Sequence, residues 1–90
     1  SLRAVARILT ENPTVVIEII GHTDSQGGLN YNDLLSRDRA RKVKTFLIQQ
    51  GIDADRLKDD GKAYLSPAVE EKTEQDRQLN RRVEFRIRRE

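Results

Sequence analysis

Asp24 and Arg39 lie on either side of a Gly27-Gly28 pair in the stretch GHTDSQGGLNYNDLLSRDRA, residues 21–40, where an apolar run gives way to an amphipathic one. A carboxylate accepts an ammonium group, and a guanidinium grips a carboxylate through two parallel N–H bonds. Two such groups, fifteen positions apart, can share one cleft without being neighbours along the chain. The glycines permit backbone angles closed to other residues and let a ligand come near the main chain. A helix beginning just beyond them adds free N–H groups and a partial positive charge. Fixed acid, fixed base and helix start together fit the head of an amino acid.

Plainer readings of the same residues stand beside this one. Asp24 in a glycine-rich loop also suits a turn or a helix cap. Arg39 has Asp38 and Glu18 as alternative partners, and an exposed pair of that kind contributes only ~0–1 kcal/mol. Asn32 suits a helix cap on local grounds. His22 and Asp24 spell H-x-D, but His22 is the sole histidine and there is no cysteine, so a metal site would be poor in ligands. No serine is placed to meet His22 in a recognisable nucleophile motif either. The residues point to binding, with no catalytic set, no metal and no cofactor.

The elements that must hold these groups follow from periodicity. SLRAVARILTENP reads as a helix, with Leu2, Val5, Ile8 and Leu9 on one stripe and Asn12-Pro13 as its stop. Residues 14–21 alternate as a strand, with Val15, Ile17 and Ile19 on an apolar face and Val16, Glu18 and Ile20 on a mixed one. From about Asn32 to Gln50 the period becomes helical. Ser36, Ala40, Val43 and Leu47 form the inward stripe, beside Leu35 and Phe46. Gly51 predicts a left-handed cap, with Ile52 folding back on the last turn. A short or bent strand is expected around Gly61, ended by Pro67, then a polar loop over 68–80 with one helical turn at most. NRRVEFRIRRE alternates again, with Val83, Phe85 and Ile87 on one face.

Ninety residues allow one domain and one core. Charged and hydrophobic residues are each 36% of the chain, a globular composition, and the longest apolar run, VVI, is far below the ~18–20 residues that cross a bilayer. A formal net charge of +2 is too small to imply a polyanionic partner unless the charge is localised. The absence of cysteine excludes a disulfide framework and thiolate chemistry without identifying a compartment. The opening residues read as a helix and not as a signal peptide, and a chain that opens in mid-element is expected to be a piece of a longer protein. The order helix, strand, helix, strand, loop, strand predicts a single α/β layer domain over residues 1–90.

Four separated blocks then carry a resemblance: G-H-T-D at 21–24, N-x-x-L-S-x-x-R-A at 32–40, Gly61 with Pro67, and N-R-R-V-E at 80–84. Taken in order, they closely resemble the OmpA-like C-terminal domain, the peptidoglycan-binding module of porin-like proteins, peptidoglycan-associated lipoproteins and MotB stators. The resemblance runs from about Val15 to Ile87. It implies an α/β sandwich of βαβ type, with helices packed on one face of a small mixed sheet. It also implies non-catalytic binding of peptidoglycan through the diaminopimelate of the stem peptide, with Asp24 and Arg39 holding that residue. Asn32 joins them by the same resemblance; Thr23, Leu35 and Ser36 line the pocket, and Arg81 or Arg82 lies near it. His22 matches a structural position. The domain would then anchor a parent protein in the periplasm, reaching the outer membrane, or the inner membrane in a motor stator, only through other parts of the chain. Members of this family usually begin with a strand that is missing here, which would leave a sheet edge open to pairing and to a homodimer.

Two rivals come from other classes. Arg82, Arg86 and Arg88 on one strand face, with Arg89 beside them, could form a basic stripe for nucleic acid, although Glu84 interrupts it and no aromatic platform accompanies it. A wall hydrolase using Asp24 and His22 would lack paired carboxylates and a metal set.

Overall fold

A computed structural model describes residues 1–90. In chain order the elements are α1 (Leu2–Glu11), β1 (Val16–Gly21), α2 (Leu29–Gln49), one 3₁₀ turn (Ala54–Arg56), β2 (Leu57–Gly61), α3 (Glu74–Asn80) and β3 (Val83–Arg89). The sheet order is β2-β1-β3, with β1 parallel to β2 and antiparallel to β3. The mixed sheet with α1 and α2 on one face is the architecture the sequence predicts.

The core forms between that sheet face and the two helices. Ile17 and Ile19 of β1 meet Ala6 and Leu9 of α1, Ala40 and Leu47 of α2, and Ile52 and Leu57 beyond them. Each fully buried leucine or isoleucine of this set contributes about 1.5–3 kcal/mol. β1 is the central strand, so its second face is more enclosed than the alternation suggests. Val16 and Ile20 are buried there too, beside a charged ladder in which Arg88 pairs with Glu18 and both Arg82 and Arg86 pair with Glu84. The stems of such long side chains cover apolar surface while their heads stay in water. Arg56 locks the turn into β1, donating to the carbonyls of Leu9, Asn12 and Val15 at 2.7–3.0 Å.

At the far end of α2 the cap is as predicted. Gly51 has φ 96°, its N–H bonds the Ile48 carbonyl, and the Ile52 N–H bonds the Leu47 carbonyl at 3.1 Å, which turns Ile52 into the core. The start of α2 is three residues earlier than expected. Gly28 is the N-cap, in extended conformation and without a side-chain bond, while Asn32 lies inside the first turn.

Three other expectations need correction. Residues 74–80 form a helix, not part of a loop, because Thr73 and Asp76 make a reciprocal capping box. The strand near Gly61 ends at that glycine and does not continue to Pro67; Ala63 takes φ 49° two residues later. Ile8, Phe85 and Ile87 are counted in the apolar stripes but are 57%, 39% and 62% exposed. Phe85 and Ile87 face the helix side, opposite Ile19 and Ile17, but β3 is an edge strand that the helix layer leaves partly uncovered.

Candidate functional site

Two glycines bring the pieces together. Gly21 and Gly61 are register partners at the ends of β1 and β2, and α2 crosses directly above them. A Cβ on Gly21 would lie 2.0 Å from the Ser36 carbonyl oxygen, and one on Gly61 would lie 2.4 Å from Ser36 Oγ. Only bare backbone allows the helix this close. Ser36 Oγ accepts the Ala63 N–H at 3.1 Å and donates to the Asp33 carbonyl at 2.9 Å, so it is a fully buried joint between α2 and the chain after β2.

The segment after β1 is pinned from both sides. The His22 N–H bonds the Arg82 carbonyl and the Thr23 N–H bonds the Ala63 carbonyl, each at 2.8 Å. Thr23 Oγ1 donates to the Asp24 carbonyl at 3.0 Å. Asp24 Oδ1 then accepts the Gln26 N–H at 3.0 Å, the turn-forming role local sequence allows it, and Asp24 Oδ2 lies 2.6 Å from Arg81 Nη1. Asn32 reaches back from α2, donating to the Gln26 and Gly28 carbonyls at 2.7 and 3.1 Å. It ties the glycine loop down from within the helix and does not cap it.

These contacts shape a cleft of about 210 Å³ lined by Thr23, Asp24, Gln26, Tyr31, Asn32, Leu35, Arg39 and Arg81. The predicted residues Asp24, Arg39, Asn32, Thr23, Leu35 and Arg81 are brought together there. Two others are not. Ser36 faces the strand ends beneath α2, and Arg82 turns to Glu84 and the Ser66 carbonyl, because adjacent residues leading into a strand point to opposite sides. Arg39 bonds the His22 carbonyl at 3.2 Å and makes no ion pair, since Asp38 is held by Lys42 and Glu18 by Arg88. The guanidinium lines the cleft and carries five N–H donors, of which the bond to His22 uses one.

Sequence reasoning passed over Glu71, Glu74, Asn80, Gln26 and Tyr31. Glu71 receives the Ser25 N–H at 3.0 Å, Ser25 Oγ at 2.6 Å and Asn80 Nδ2 at 2.8 Å, clamping the residue next to Asp24. The Ser25 and Asn80 bonds hold the Glu71 carboxyl below the usual range. Asn80 also accepts the Ala68 and Val69 N–H groups, which folds the 68–72 segment over α3. Glu74 is held low by Arg81 and then Arg77, and Arg81 is raised by Glu74 and then Asp24. The T-x-x-D capping pattern at 73–76 was the available signal for α3.

His22 is 1% exposed and does not line the cleft. Burial, and then the nearby Arg82 charge, push its pKa below the ordinary value of 6.5. Nε2 is 2.8 Å from Glu84 Oε1 but poorly aligned with it, and Nδ1 has no partner. A larger groove of about 680 Å³ runs between α1 and β3, lined by Val5, Ile8, Leu9, Phe85 and Ile87 among others. Its lining is mostly apolar, and the opposite charges singled out in the sequence line the smaller cleft instead.

A mixed three-stranded sheet with helices on one face and a charged cleft beyond the strand ends defines an OmpA-like domain. The chain belongs to the OmpA family, whose pattern it matches over residues 1–81. It is 39% identical over 87 residues to the probable lipoprotein YiaD of Escherichia coli K12, covering 97% of this chain and 40% of that protein. With outer membrane protein A of Bordetella avium it shares 46% identity over 68 residues, 76% of this chain and 35% of that one. The chain thus spans 40% or less of the length of these curated relatives. Its fold superposes on the crystal structure of the peptidoglycan-associated lipoprotein from Burkholderia pseudomallei with a TM-score of 0.92 at 26% identity, over 97% of this chain and 74% of that one.

Proposed function

We propose that this domain binds peptidoglycan without catalysis, taking the side-chain terminus of diaminopimelate in the cleft. Arg39 receives the carboxylate and Asp24 the ammonium; Asn32 and Thr23 hold the loop, while Leu35 and Arg81 line the cleft wall. The observation that carries this reading is the meeting of Asp24 and Arg39, from different elements, in one cleft where Arg39 has no acidic partner of its own. Family membership and the likeness to a lipoprotein described as peptidoglycan-associated support the wall as the partner. A binding role without catalysis is supported by His22, the sole histidine, being buried outside the cleft and turned to Glu84. As part of a longer protein, the domain would work in the periplasm and tie an outer-membrane protein or lipoprotein to the wall.

The test is co-sedimentation with insoluble peptidoglycan. Asp24→Ala and Arg39→Ala each remove a charge-assisted contact of about 1.5–3 kcal/mol and are expected to abolish retention, with circular dichroism and melting showing a retained fold. Wild-type retention by either folded variant would end this reading.

A further inference from the structure

Asp24 already meets a cation of the chain itself. Arg81 Nη1 lies 2.6 Å from Asp24 Oδ2, and Arg81 Nη2 lies 2.6 Å from Glu74 Oε1. One planar guanidinium is therefore shared between two carboxylates in different surroundings. The Asp24 side chain is 9% exposed and lines the cleft, whereas that of Glu74 is 52% exposed and lies outside it. Glu74 is the first residue of α3 and Arg81 caps its end, so one short helix carries both.

The run Asp24, Arg81, Glu74, Arg77 is balanced in charge, with Arg77 Nε 2.8 Å from Glu74 Oε2. Arg39 is left as the uncompensated cation of the cleft. A purely anionic group can settle on Arg39 and leave this arrangement untouched. A ligand that also brings an ammonium to Asp24 sets a second cation against Arg81, and like charges in contact repel unless one moves.

We propose that Glu74 is a positioning residue that lets the cleft accept an ammonium: as the ammonium takes Asp24 Oδ2, Arg81 transfers its contact to Glu74. A bond shared between two carboxylates becomes a two-pronged pair with one, a geometry the guanidinium fork favours. Glu74 thereby sets the preference of the cleft for zwitterionic over purely anionic ligands, although it touches neither. This rests on the diaminopimelate reading of the cleft.

The experiment is calorimetric titration of the chain with two peptides, a diaminopimelate stem tripeptide and the same peptide with hydrogen in place of the side-chain amine. Glu74→Gln is expected to weaken the first by about 5- to 10-fold and to leave the second within about 2-fold. Glu74→Asp is expected to recover most of the loss. In an Arg81→Gln background the Glu74 change is expected to do nothing further, because no guanidinium remains to be moved. Equal losses for the two peptides, unchanged affinity of Glu74→Gln for the diaminopimelate peptide, or a full additional loss in the double variant each overturn the proposal. A wild-type chain that binds neither peptide is a separate result, which removes the diaminopimelate reading itself and this proposal with it.

Discussion

Ser36 of α2 rests on Gly21 of β1 so closely that a Cβ on the glycine would lie 2.0 Å from the serine carbonyl oxygen. That contact is backbone on backbone, so no side-chain rotation relieves it. It sets the height of α2 over the strand ends, and with it the placement of Arg39, one turn further on, relative to Asp24. Gly21→Ala is expected to cost about 2–3 kcal/mol or more by overpacking, a fall in Tm of roughly 10–20 °C for a domain of this size. Gly28→Ala meets nothing within 4 Å and gives up only the N-cap preference for glycine over alanine, an expected cost of about 1 kcal/mol or less. Thermal melts of the two variants make the comparison.

A lysine-type stem peptide keeps the side-chain ammonium but lacks the carboxylate. If Arg39 is the carboxylate receptor, that peptide leaves a guanidinium without its partner, and affinity is expected to fall about 10-fold or more, since an unmatched polar group costs about 1–3 kcal/mol. Calorimetry with the two peptides decides it. Equal affinities would mean that the wall is recognised through sugar or backbone.

Acid is expected to weaken the fold in two stages. Burial first, and then Arg82, depress the His22 pKa below 6.5, so the unfolded chain takes up a proton at a pH where the native chain does not. Below the ordinary value the unfolded state holds more protons, and stability falls as the pH drops through about 6.5. Glu71, bonded by Ser25 and Asn80, and Glu74, bonded by Arg81 and Arg77, have depressed pKa values, so their contributions are present above the ordinary carboxylate range and disappear below about pH 4.5. Denaturant midpoints across this range measure both stages. In a folded His22→Gln variant the first stage is expected to vanish and the second to remain.

The arginines of β3 separate wall binding from nucleic-acid binding. Arg88 is paired with Glu18, and Arg82 and Arg86 share Glu84, so two carboxylates within the sheet offset part of the charge of the stripe. Changing Arg86, Arg88 and Arg89 together to glutamine is expected to leave muropeptide affinity within about 2-fold. Had they been phosphate contacts, the same change would flatten the salt dependence of oligonucleotide binding by a log–log slope of roughly 2–3. Parallel titrations with a muropeptide and a single-stranded oligonucleotide, each at two salt concentrations, distinguish the two.

Features set by near neighbours along the chain are readable in the residues alone. Alternation marks β1 and β3, the four-three-four spacing of Ser36, Ala40, Val43 and Leu47 marks the face of α2, and Gly51-Ile52 marks its end, because pleat, helical period and left-handed cap are all set within a few residues. The concentration of glycine, acid and base between β1 and α2 was legible for the same reason. The helix 74–80 is less evident, since its one local signal is the capping box and its other supports, Glu74 with Arg81 and Asn80 with Ala68 and Val69, are charges and loop N–H groups in place of an apolar stripe.

Which charges meet depends on contacts between segments distant in the chain. Arg81 and Arg82 are indistinguishable in the run NRRVE, yet the first reaches Asp24, fifty-seven positions away, and the second reaches Glu84 beside the buried His22. The antiparallel register of β3 on β1, with Gly21 opposite Val83, sends these two neighbours to opposite sides. Ser36 likewise belongs to a motif that suggests a pocket, but the close approach of α2 to Gly21 and Gly61 turns it into a buried joint and leaves the cleft to Asp24, Asn32 and Arg39. Periodicity names the face on which a side chain lies; sheet register and the height of a helix over glycine determine what it finds there.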